Sequence, residues 1–247
     1  MATQTLPAPI SIEPPLPYNR LLAALELGAP DDAAWLWEHL TKIELELGRI
    51  LALSDEPFTA VYFPLTAVTS VISRMADGGA AEVGTVGNEG VVGLSVLLDA
   101  SPGPYETVAQ IPGSALMVDA SIMRDGMRER PALRKLLYRY VHEYHTQVAQ
   151  TAACNRLHGI EQRCARWLLM THDRVGEADR FPLTQAYLAI MLGVRRAGVT
   201  VAAGALQDAG LITYRRGGIR ILDRVGLEAA ACECYGVVRR HFDRLIG

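Results

Sequence analysis

At Asp119 the hydrophobic pattern of this chain changes period, and that change constrains the fold more than any other feature. Between Ile43 and Asp119, short apolar or alternating segments (IELEL, AVYFPL, VTSVISRM, AEVGTVG, TVAQI, ALMVD) are separated by Gly, Pro, Asp and Ser. Alternation puts successive side chains on opposite faces of a strand, and turn residues at such short intervals suit antiparallel strands stacked as a sandwich or jelly roll. After Asp119 the apolar residues recur at helical spacing. ASIMRDGMRER reads as a short helix, and Pro131, tolerated where a first turn needs no N–H, opens a longer one to about Arg156. Along it Leu133, Leu137, Tyr140, Tyr144 and Val148 make a stripe suited to pairing with a second helix. These five residues are the expected homodimer seam; the alternative is that they pack on the chain's own sandwich.

The fold class is therefore α+β, in four stretches. Residues 1–19 have the proline density of a disordered tail. Residues 20–130 hold two short helices, with Asp31 or Asp32 as a cap, and the sandwich. Residues 131–156 are the long helix, and residues 157–247 a mainly helical domain. In that last part GIEQRCARWLLMTHDRV is a scaffold helix with its arginines in water, and a closing helix runs from about Leu227 to Leu245. Half of the 247 residues are hydrophobic, enough for a sizeable core, and no apolar run approaches the ~20 residues that span a bilayer. The first twenty residues have no basic n-region or apolar h-region, so the expected location is the cytoplasm and no membrane partner is expected.

The net charge of −3 conceals an asymmetry: residues 156–247 carry fourteen arginines, no lysine and nine acids, a balance of +5 against −8 elsewhere. Only the C-terminal part could face a polyanion. Its most specific segment is LTQAYLAIMLGVRRAGVTVAAGALQDAGLI. Thr184 can cap a helix that buries Leu188, Met191 and Leu192; Gly193 turns the chain; a second helix over about 195–207 buries Val199, Ala202, Ala203 and Leu206. Arg195, Arg196 and Thr200 then lie at the exposed N-terminal end of the second helix, the part of a helix-turn-helix that reaches base edges, where arginine can pair bidentately with guanine. Thr184 and Gln185 suit phosphate oxygens. Two strands, LITYR and GIRIL, follow as a winged hairpin around Gly217 and Gly218, with Arg215 and Arg216 placed to reach flanking backbone. The expected partner is a double-stranded DNA operator.

The order of sandwich, long helix and winged helix-turn-helix, with LAIMLGVRRAGVTVAAGALQDAGLI as its signature, resembles the cyclic-AMP receptor protein and Fnr (Crp/Fnr) superfamily of bacterial transcription regulators over roughly residues 20–222. The resemblance implies a homodimer on a palindromic operator, a cyclic-nucleotide-binding-like jelly roll, and RNA polymerase as a candidate partner. Arg196, Thr184 and Val199 match the family's DNA-reading positions; Ala197 and Val201 stand where glutamate and arginine are usual, which implies a different operator. In the sensor, Gly90 and Leu94 match the ribose-binding turn, but Val91 replaces its glutamate, and the region expected to give an arginine-serine pair reads PYETV, placing Glu106 and Thr107 there. No lysine or arginine lies between Arg74 and Arg124, so the cassette lacks a cation for a buried phosphate. Cyclic AMP is not the expected effector, and the effector stays unknown.

Neither cofactor, metal nor catalytic centre is expected. No cysteine precedes Cys154, which excludes an N-terminal iron–sulfur cluster; the sandwich is too poor in histidine for a cupin-type enzyme; and G-x-S-x-G and H-E-x-x-H are absent. His142 and His145 read as solvated helix residues. Cys232 and Cys234, two apart on the closing helix, should point to different faces and be inert; the alternative is a redox role. The alternative function is a signalling module for an effector or protein partner with a degenerate helix-turn-helix.

Overall fold

The computed structural model describes residues 18–175, 180–215 and 217–246; the tail expected over residues 1–19 therefore falls outside it except for its last two residues. Asn19 belongs to the folded body. It is 2% exposed, its Oδ1 accepts from the N–H groups of Leu21 and Leu22 to cap α1 (Arg20–Gly28), and its Nδ2 donates to the carbonyls of Pro64 and Gly90 at 3.0 and 2.8 Å. α2 (Pro30–Trp37) starts from proline in its first turn, with Ala29 rather than an aspartate at the cap.

The sandwich follows: β1 (Thr41–Leu45), β2 (Ile50–Ala52), β3 (Ala60–Pro64), β4 (Val68–Arg74), β5 (Ala80–Val86), the single turn α3 (Leu94–Leu97), β6 (Glu106–Ile111) and β7 (Gly113–Asp119). Its antiparallel sheets run β1-β7-β3 and β2-β6-β4-β5. Leu45, Phe63, Val68, Ile72, Ala109 and Val118 are buried in the core that these strands build.

Asp119 caps α4 (Ala120–Glu129), accepting from the Ser121 N–H at 2.7 Å. α5 (Pro131–Leu157) has no side-chain cap of its own. Asp32 supplies it from α2, its Oδ2 accepting from the N–H groups of Ala132 and Leu133 at 3.1 Å each, a carboxylate at the positive end of the helix dipole. The stripe expected to pair with a second chain is buried within this one. Leu133, Leu137, Tyr140 and Tyr144 are in the core and Val148 packs on it, because α5 lies against β5 and against the C-terminal helix of the same chain. The face of α5 left to solvent is different: Lys135, Tyr138, His142, His145, Ala149, Ala152 and Arg156, spaced alternately by three and four.

The remaining elements are α6 (Ile160–His172), β8 (Arg180–Pro182), α7 (Gln185–Leu192), α8 (Arg196–Asp208), β9 (Ile212–Arg215), β10 (Gly218–Ile221), α9 (Arg224–Ala230) and α10 (Cys234–Ile246). β8 joins the expected hairpin to make a three-stranded sheet, order β8-β10-β9. This half departs from its sequence pattern in two places. The closing helix is two helices, broken at residues 231–233, and Asp223 caps the first by accepting from the Gly226 N–H. The arginines of α6 are not all in water: Arg166 is buried and donates to Thr151 Oγ1 at 2.9 Å, and Arg174, just beyond the helix, is buried on an ion pair. Among the described residues no single helix is long and apolar enough to cross a membrane.

Candidate nucleic-acid interface

The helix-turn-helix is built as its sequence dictates. Thr184 Oγ1 accepts from the Tyr187 N–H at 3.2 Å and starts α7. Gly193 ends it in the left-handed region at φ +61°, where a Cβ would be strained. α8 starts three residues later, and the helices meet at 100°, within the range of this motif. Small residues let α8 sit close on α6: Ala202 and Ala203 are buried with Leu206.

Arg195, Arg196 and Thr200 are exposed on the first turns of α8, beside Ala197 and Val201, and Thr184 and Gln185 are exposed at the start of α7. Thr200 Oγ1 donates back to the Arg196 carbonyl at 3.2 Å, which leaves its lone pairs outward. Val199 does not take the DNA-reading place expected of it. It is 0% exposed, one step round the helix from Thr200, so it packs the motif together and cannot touch a base. On the wing, Arg215 is exposed; Arg216 lies outside the described residues. The tight hairpin uses Gly217 at φ +73°, and Gln207 Oε1 accepts from the Tyr214 N–H at 2.8 Å, tying the wing to α8. Arg180 and Arg220, not singled out in the sequence, are exposed on the same small sheet, because β8 pairs with β10 with these two residues opposite each other. Their signal was the strand RFP, too short to read alone.

The helix-turn-helix also meets the sandwich. α7 packs on β5, and Met191 Sδ lies 3.3 Å from Ser70 Oγ. Beneath this contact is a buried polar seam. Ser70 Oγ touches Glu82 Oε2 and, at 2.6 Å, Gln110 Oε1, while Trp167 of α6 donates to Glu82 Oε1 at 2.9 Å. Burial pushes the Glu82 carboxyl up from 4.5 to about 7, against the pull of its hydrogen bonds from Ser70 and Trp167 and of Arg174 and Arg166. A second strut joins the same halves: Arg174 pairs with Glu89 at 2.8 Å and donates to Gln147 Oε1 and the Met170 carbonyl.

Of the degenerate effector cassette, Val91, Leu94 and Thr107 line one cavity of about 410 Å³ between sandwich and α5, with Phe58, Tyr105, Val141, Tyr144 and His145. Gly90 does not line it, and Glu106 is engaged by Arg74 at 2.5 Å. No lysine or arginine lies among the described residues that line it.

Residues 162–230 match the family model of the Crp-like helix-turn-helix domain. No curated protein sequence matches the chain. Among solved structures it is similar to FixK2 from Bradyrhizobium japonicum, with a TM-score of 0.67 at 17% identity, over 78% of this chain and 98% of that one. It is also similar to a CRP-family transcriptional regulator from Thermus thermophilus, with a TM-score of 0.64 at 18% identity, over 76% and 96%. A third is the c-di-GMP-responsive global regulator CLP from Xanthomonas campestris, with a TM-score of 0.60 at 13% identity, over 78% and 98%. A jelly roll, a long helix and a winged helix-turn-helix with an exposed arginine pair define a DNA-binding transcription regulator. Residues 162–230 are thus a Crp-like helix-turn-helix domain, and the chain as a whole has the fold of the Crp/Fnr-type regulators it is similar to.

Proposed function

We propose that the chain works as a homodimer on a two-fold symmetric operator, with the start of α8 in the major groove of each half-site. The observation that carries this reading is the exposed pair Arg195 and Arg196 at the N-terminal end of α8, which the dipole makes the anion-seeking end. Thr200 shares that edge; Thr184, Gln185, Arg215 and Arg216 serve the flanking phosphates. The dimer forms through the solvent face of α5. Tyr138, His145, Ala149 and Ala152 recur there at coiled-coil spacing, and the two alanines permit close approach of a partner helix. Two-fold pairing then sets the half-sites about one helical turn, or a multiple of it, apart.

The sensor takes an uncharged, largely apolar effector rather than a cyclic nucleotide. What supports this is the cavity, whose lining is rich in valines and aromatic rings and, among the described residues, holds no lysine or arginine for a phosphate. Selection of bound duplexes from a random pool tests the reading: a palindromic motif is expected from the native chain and none from Arg195→Ala/Arg196→Ala, which should stay folded and dimeric. Unchanged binding by that variant would return the helix-turn-helix to a degenerate role.

A further inference from the structure

Four side chains from distant parts of the sequence converge where α5 ends. Cys154 and His158, four residues apart, share one face of the last turn of α5 and its cap. Cys232 lies in the break between α9 and α10, and Cys234 opens α10. The break turns both thiols inward, where one continuous helix would have parted them. The three cysteines are buried in a cluster of their own, separate from the main core, and His158 is half-buried beside them. The three Sγ atoms and one imidazole nitrogen all lie within 4.8 Å of one another.

We infer that Cys154, His158, Cys232 and Cys234 form a closed site for a single zinc ion that fastens the chain beyond the wing to the long helix. Tetrahedral zinc with bonds of about 2.3 Å to sulfur and 2.0–2.1 Å to nitrogen places its ligands about 3.5–3.8 Å apart. Cys154 Sγ and Cys232 Sγ are 3.5 Å apart, as are Cys234 Sγ and His158 Nδ1. The surrounding groups are those a metal site uses. His158 turns Nδ1 to the thiols and Nε2 to the Glu233 carboxylate at 3.3 Å, the carboxylate–histidine arrangement that fixes the tautomer of a metal-binding imidazole. Gln150 Nε2 points at Cys234 Sγ from 3.0 Å, a donor for a thiolate. Thiolate-rich tetrahedral ligation selects zinc over oxygen-seeking cations, and so small a cluster suits one ion rather than a multi-iron cluster, whose ligands must stand farther apart. Binding releases three thiol protons to solvent and takes the imidazole neutral. Because α9 packs on α6 and α10 on α5, the ion would hold the DNA-binding half at a set angle to α5.

The test uses the full chain purified under reducing conditions from zinc-supplemented cells. Elemental analysis should find about one zinc per chain, resistant to dialysis and released when the thiols are modified. The stripped chain should show, on adding cobalt(II), sulfur-to-metal charge transfer and the intense visible bands of a tetrahedral site. Cys232→Ser and Cys234→Ser should lose the metal, while Cys164→Ser, at a buried thiol outside the cluster, keeps it. Glu233→Gln should bind roughly 10–100-fold more weakly. Substoichiometric zinc with a featureless cobalt spectrum in the native chain would overturn the inference, independently of whether any variant folds. So would full zinc in the double variant Cys232→Ser/Cys234→Ser, or a metal-free chain carrying a Cys154–Cys232 disulfide.

Discussion

Glu82→Gln should stabilise this protein at alkaline pH and do little in acid. Glu82 is buried between the sandwich and the DNA-binding half, and burial lifts its carboxyl from 4.5 to about 7. A raised acid favours the folded state while protonated: the contribution is fully present below pH 4.5 and is lost as pH rises through about 7. At 1.36 kcal/mol per unit the loss comes to about 3 kcal/mol. Glutamine reproduces the protonated form. Ser70 has one hydroxyl proton for its contacts with Glu82 and Gln110, so the carboxylic acid must supply the other proton, and an amide N–H can do the same. Trp167 keeps its acceptor on the amide oxygen. Urea denaturation of both proteins at intervals from pH 5 to 8.5 measures the difference; it should widen by roughly 2–3 kcal/mol, most steeply between pH 5 and 7. A difference constant across that range would refute the placement of a carboxyl in the seam whose burial outweighs its hydrogen bonds.

Other consequences can be measured directly. Arg195→Ala/Arg196→Ala should weaken operator binding by at least roughly 30-fold in fluorescence anisotropy and lower the slope of affinity against salt, with circular dichroism unchanged. Ala149→Glu, which puts a charge on the solvent face of α5, should shift sedimentation equilibrium toward monomer, whereas Leu137→Glu should unfold the chain instead. Removing one partner of the Glu89–Arg174 pair, as in Arg174→Met, should cost about 3–5 kcal/mol by stranding a buried charge, and Glu89→Gln/Arg174→Met should recover part of that loss in a double-mutant cycle.

The sequence disclosed what local rules control. The change of period at Asp119, the proline opening α5, and the threonine cap and glycine turn of the helix-turn-helix each depend on a few adjacent residues, and each element lies where its pattern puts it. What was illegible depended on distant partners. The stripe Leu133 to Val148 has the right period for a coiled coil and equally for packing on β5 and α10; periodicity names an apolar face and not its occupant. Asp32 reads as the cap of its own helix and instead caps α5, a hundred residues on. Val199 matches a DNA-reading position yet turns inward, since adjacent residues on a helix point about 100° apart and Thr200 takes the outward place. Cys232 and Cys234 seemed divergent only because the helix break at 231–233 carries no proline to announce it.

The contrast between the two internal surfaces of α5 and α6 bears on how a signal could travel. Where α5 covers the cavity, its contributions are Val141, Tyr144 and Val148, apolar groups that gain by closing on an apolar ligand. Where α6 meets the sandwich, the contacts are Trp167 to Glu82 and Arg174 to Glu89, hydrogen-bonded and partly ionic. An apolar contact loses its whole contribution when water enters, whereas a polar one exchanges its partner for water and loses only the net difference. Of the two surfaces, the one carrying Glu82 is the one whose contribution to the fold changes with pH.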